Sequence, residues 1–130
     1  MARVAIVTGG TRGIGEAVSL ALEDMGMVVA ANYCGNDERA ADFTSRTGIK
    51  AYKWDVADFD ACQAGVARVV AELGPVDVLV NNAGIMPLSP LAALKTDEWN
   101  RMIDVNVRGV LNGVAAVLPG FVEQGSGQFV

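Results

Sequence analysis

Apolar residues along this chain gather into four short runs, Val4–Thr8, Val28–Asn32, Ala51–Trp54 and Val76–Asn81. Within each run they are nearly continuous rather than alternating. A strand wetted on one side alternates polar and apolar positions, whereas a strand covered on both faces does not. The runs therefore predict buried, parallel strands. Between them the period changes. Over Ile14–Met25, the positions Ile14, Val18, Ala21, Leu22 and Met25 fall on one side of a helix. Asp37–Thr47 reads as a second helix, stopped by Gly48. A third begins under an Asp58 cap and runs to about Leu73, where Gly74-Pro75 ends it. A longer helix is expected from near Thr96 to the region of Pro119 or Glu123. Gly125-Ser126-Gly127 then reads as a turn, and Gln128-Phe129-Val130 as the opening of a fifth strand.

Regular alternation of strand and helix predicts an α/β fold with right-handed crossovers and helices on both faces of the sheet. No linker, repeat or low-complexity stretch divides the chain, and 130 residues fit one domain, 1–130. A hydrophobic content of 52% supplies a core and argues against disorder. The formal net charge of -5 disfavours a grip on nucleic acid, whose phosphates call for basic residues. No uninterrupted apolar stretch approaches the ~20 residues of a membrane span. The opening segment, Met1–Val7, is too short for an export signal, so a cytoplasmic location is expected. Cys34 and Cys62 have no Cys or His at metal-ligand spacing, and the chain contains no histidine. No metal site is expected, two reduced structural thiols are, and histidine-based triads are excluded.

The strongest motif is Thr8-Gly9-Gly10-Thr11-Arg12-Gly13-Ile14-Gly15, where the first strand gives way to the first helix. Such a turn aims unpaired N–H groups and the positive end of a helix at a bound pyrophosphate. Gly9 permits the sharp turn, Gly13 a close approach of phosphate to the backbone, and Gly15 close packing of the helix. This context predicts a Rossmann-like sheet of order 3-2-1-4, with the fifth strand beside the fourth. Thr11 and Ile14 belong to the same cradle.

Three further motifs follow in order, and with the turn they give the chain a resemblance to the short-chain dehydrogenase/reductase family. Asp55-Val56, after the third strand, resembles the family's adenine contact. Asn81-Asn82-Ala83-Gly84, after the fourth, is similar to its Asn-Asn-Ala-Gly signature, which implies that Asn82, Ala83 and Gly84 lie beside the adenosine and its ribose. Asn106 resembles the helix asparagine of the family's catalytic tetrad; read alone, it is a buried polar residue bonding backbone within a helix. Residues 1–84 look most like the acetoacetyl-CoA and 3-oxoacyl reductase branch, and 85–130 like another branch. That leaves a natural relative with mixed features or two sequences joined near the Asn-Asn-Ala-Gly turn.

The resemblance also implies what should lie past Val130: a serine beyond the fifth strand and a Tyr-x-x-x-Lys pair on the next helix. Within the chain, Tyr33 is followed four residues on by Asp37, and Tyr52 by Val56. The expectation is a cofactor-binding portion of a carbonyl reductase, inactive alone. Two alternatives stay open: an enzyme whose second half is on another chain or left out, and a non-enzymatic, designed or fragment-derived module. Family members pair two long flank helices with the same pair of a second subunit. Self-association through the helix near 96–123 is therefore expected.

Cofactor type is read at the end of the second strand, where enzymes that use NAD carry a carboxylate for the ribose 2′-OH. Here Ala31-Asn32-Tyr33-Cys34-Gly35-Asn36 has none before Asp37. Arg12, inside the turn, can bind a 2′-phosphate with paired hydrogen bonds or stand as a solvated loop charge. NADP(H) is the cofactor expected. Asn32 and Tyr33 add donors or a wall, or simply end the strand. Trp54 and Trp99 read as core or interface packing, and Arg101 and Arg108 as a solvated or interface edge.

Overall fold

The computed structural model describes residues 2–130; Met1, at the head of the opening segment, lies outside the described residues. Five strands, β1 (Val4–Val7), β2 (Val28–Tyr33), β3 (Lys50–Lys53), β4 (Val78–Val80) and β5 (Gln128–Phe129), form one sheet of order β3-β2-β1-β4-β5. Every pairing is parallel, with Ile6 opposite Ala30 on one side and Leu79 on the other. The helices are α1 (Gly13–Asp24), α2 (Asp37–Thr47), α3 (Phe59–Leu73), α4 (Thr96–Ile103) and α5 (Gly109–Gln124).

Both sheet faces are covered, which accounts for the continuous apolar runs. Val4 and Ile6 join Tyr52, Trp54, Val66, Val69, Leu79, Val117 and Phe121 on one face. Ala5 and Val7 join Val29, Ala31, Phe43, Ile49, Val78 and Val80 on the other, against Val18 and Leu22 of α1. Cys62 is buried, and burial first of all pushes its thiol up to about 11, so it stays protonated.

Several boundaries move. The strand expected over Ala51–Trp54 forms its ladder one residue earlier, and Val76–Asn81 shortens to Val78–Val80. On α1, Ile14 and Met25 are exposed, at 77% and 71%, and the buried positions are Gly15 and Ser19. Ile14 lies in the first turn, above the strand ends, and Met25 is already the C-cap, so neither reaches the sheet.

The long helix passes through Pro119 and runs to Gln124, interrupted by a π turn over Asp104–Arg108. The wider turn inserts an extra residue, and both Val105 and Gly109 end up buried. A side chain at Gly109 would come within 2.8 Å of Val56 Cγ2. By length and composition this helix could cross a membrane, at a mean hydropathy of 1.4. In the fold, Val105, Gly109, Gly113, Val117 and Phe121 pack inward. Ile103, Val107, Leu111, Leu118 and Val122 are left exposed along its length.

Candidate functional site

The C-terminal ends of the strands converge on the turn after β1, and side chains fix that turn from three sides. Buried Thr8 donates its hydroxyl to Val80 O at 3.2 Å and accepts from the N–H groups of Asn82 and Ala83, both at 3.0 Å. The Asn82 amide donates back to Thr8 O at 3.0 Å and Gly9 O at 3.3 Å. Asn32 accepts from Gly9 N at 3.3 Å and donates to Trp54 O at 3.0 Å. Ser19 of α1 donates to Gly10 O at 3.0 Å. The turn is thus preorganised by satisfied polar groups, with Thr8, Ser19 and Asn32 buried and Asn82 half-buried.

Gly9 and Gly13 hold φ of 62° and 55°, which side-chain-bearing residues rarely adopt. A Cβ at Gly13 would meet nothing within 4 Å, so this stretch of backbone faces open space. At Gly15 a Cβ would run into the Gly9 carbonyl and lie 2.7 Å from Asn82 Nδ2. The sequence had assigned that glycine to packing of helix on strand; what fills its space is the turn and the Asn82 amide. Arg12, at the N-cap of α1, makes no side-chain cap, which leaves the first N–H groups of that helix available.

These features open into a cavity of about 600 Å³, a size suited to a small ligand or cofactor. Gly9, Thr11, Arg12, Gly13, Ile14, Gly15, Asn32, Tyr33, Asp55, Val56, Asn82, Ala83 and Gly84 all line it. Asn106 does not. Its side chain is exposed and accepts from Ile85 N at 2.9 Å while donating to Ile85 O at 2.8 Å. It ties the loop after β4 to the π turn, rather than bonding backbone inside its own helix.

Asn32, expected at the strand end, spends its amide on the scaffold. Tyr33 donates its hydroxyl to Asp37 at 3.1 Å. Desolvation first, then that bond, pushes the Tyr33 phenol up. Asp55 accepts from Ala57 N at 2.9 Å and pairs with Arg101 at 3.1 Å. Arg101, exposed as expected, also stands at the cavity wall, and its guanidinium is held charged by Asp55. Arg108 stays on the helix surface beside Asp104. Trp54 is buried in the core as expected and also reaches the wall.

Sequence reading missed Arg39, which lines the cavity from the first turn of α2 and donates its backbone N–H to the N-cap Asn36. Its only signal was a basic residue near the start of a helix that follows the second strand. Neither Arg12 nor Arg39 forms an ion pair with a described residue. A glycine cradle, an uncapped helix N-terminus and two unpaired guanidinium groups fit a ligand with phosphates at two places. A dinucleotide with an extra phosphate has that form.

The chain matches the short chain dehydrogenase family over residues 3–130, and it belongs to that family. Among curated proteins it is 51% identical over 130 residues to an acetoacetyl-CoA reductase of Paracoccus denitrificans, covering 100% of this chain and 54% of that protein. It is 38% identical over 135 residues to the 3-oxoacyl-acyl-carrier-protein reductase FabG of Staphylococcus aureus strain N315, covering 100% of this chain and 55% of that protein. Both alignments include residues on either side of Gly84. The chain thus spans about half the length of these relatives. A gluconate 5-dehydrogenase from Burkholderia cenocepacia, solved with NADP and tartrate, superposes with a TM-score of 0.86 at 33% identity. It covers 98% of this chain and 51% of that one.

Proposed function

We propose that this chain is the NADP(H)-binding portion of a short-chain carbonyl reductase of the acetoacetyl-CoA and 3-oxoacyl type. The observation that carries the reading is the pair of arginines, Arg12 and Arg39, flanking a cavity whose β2 end presents no carboxylate to it. The NADP in the Burkholderia dehydrogenase and the name of the Paracoccus reductase support it.

In this reading the N–H groups at the start of α1 and the backbone near Gly13 hold the pyrophosphate. Arg12 and Arg39 take the 2′-phosphate, and Asp55, Val56 and Ala83 wall the adenosine. The bound cofactor supplies hydride for a carbonyl. Asn106 holds the loop at Ile85 in place. Proton delivery to the nascent alkoxide needs an acid that neither Tyr33 nor Tyr52 provides, since the Tyr33 hydroxyl is donated to Asp37 and that of buried Tyr52 to Glu72. The 130 residues by themselves are therefore proposed to bind cofactor without turning over ketones. The serine, tyrosine and lysine would come from residues outside this sequence or from another chain.

Replacing Arg12 by Ala tests the assignment. NADPH affinity should fall by about 1.5–3 kcal/mol, the worth of charged hydrogen bonds, with NADH affinity nearly unchanged. Equal losses for both would mean that Arg12 supports the turn and not a 2′-phosphate.

A further inference from the structure

We propose that Lys53 is a determinant of cofactor preference: by holding the Asp37 carboxylate at the edge of the sheet, it keeps that charge from a 2′-phosphate at Arg12 and Arg39. This rests on the NADP(H) reading above.

A carboxylate shortly after the second strand favours an unphosphorylated ribose, because it accepts from the 2′-OH and repels a phosphate. The first carboxylate after β2 is Asp37, the opening residue of α2. Its neighbours Asn36 and Arg39 both line the cavity, yet Asp37 does not. Its two oxygens are engaged elsewhere. Lys53 approaches Oδ1 at 3.1 Å and Oδ2 at 3.3 Å, and the Tyr33 hydroxyl donates to Oδ1 at 3.1 Å. The ladder explains this meeting, since Tyr33 of β2 and Lys53 of β3 are register partners. The Lys53 ammonium, then the Tyr33 hydroxyl, hold the Asp37 carboxyl below its usual range, so it is ionised at neutral pH. A permanent negative charge thus stands one residue from the cavity wall, answered by a lysine that does not line the cavity.

Both partners of the pair are exposed, at 66% and 52% of their side chains, so water already weakens the effect. An unanswered charge several ångströms from a phosphate at the protein surface changes affinity by about three- to fivefold. Lys53→Met should lower the ratio of NADPH to NADH affinity by that factor, with NADH binding unchanged and the loss shrinking at high salt. Asp37→Asn in the Lys53→Met background should restore the ratio. A ratio unmoved by Lys53→Met overturns the inference. So does a loss that persists in the double variant, which would make Lys53 itself a phosphate ligand. Lys53→Gln and a thermal melt guard against a folding artefact. A wild-type chain that binds NADPH no better than NADH would instead sink the cofactor reading on which the inference stands.

Discussion

Within the turn after β1, Gly15 has no room for a methyl group, and Arg12 has no acidic partner among the described residues. The two positions make opposite demands on a variant. Gly15→Ala adds a group against backbone, which cannot swing aside, so the turn must shift. It should cost about 1–3 kcal/mol of stability and weaken NADPH and NADH alike, measured by thermal melts and by titration. A fully stable Gly15→Ala with normal binding would show that the turn is softer than its hydrogen bonds suggest. At this scale the legible residues were those with a role fixed by backbone geometry. Spacing picked out the glycines, and with them Arg12 inside the turn, whereas Asn82 came with the family resemblance. Arg39 and Arg101 escaped, because a residue on a helix joins a site only through the angle at which the helix docks. Arg101 read as a solvated or interface edge; it is exposed and also pairs with Asp55 at the cavity wall. Asn32 read as a donor, a wall or a plain strand end; it lines the cavity and also braces the turn through its amide.

Among the elements, strand order and helix positions were legible, because a strand buried on both faces leaves an apolar run no loop would carry. The π turn was not, since no local signal marks it. It forms where Val105 and Gly109 both pack inward while Asn106 bonds the Ile85 backbone. The inward face of the long helix leaves a second stripe, Ile103, Val107, Leu111, Leu118 and Val122, facing out. A row of exposed apolar side chains on one helix favours association. We therefore propose self-association through this helix. Sedimentation should give a mass that rises with concentration above the chain's 13.6 kDa, and Leu111→Lys, at a 62% exposed position, should lower it to the monomer without altering NADPH affinity. A concentration-independent monomer in the unsubstituted chain would refute this.

For the whole molecule, the sheet acts as a platform whose strand ends carry the cavity, and the network of Thr8, Asn32 and Asn82 makes that cavity rigid before a ligand arrives. Preorganisation of this kind lowers the cost of ordering a binding site when a ligand arrives. Substrate choice was not legible, because no residue lining the cavity is tied by geometry to a carbonyl compound. We propose that the chain by itself binds NADP(H) in preference to NAD(H). Isothermal titration of the 130-residue chain with NADPH and with NADH, in one buffer at one salt concentration, decides the matter. Saturable binding at one site per chain is expected, with NADPH tighter by roughly tenfold or more, as two charged contacts to a phosphate require. Equal affinities, or no binding of NADPH at millimolar concentration by a folded chain, would contradict it.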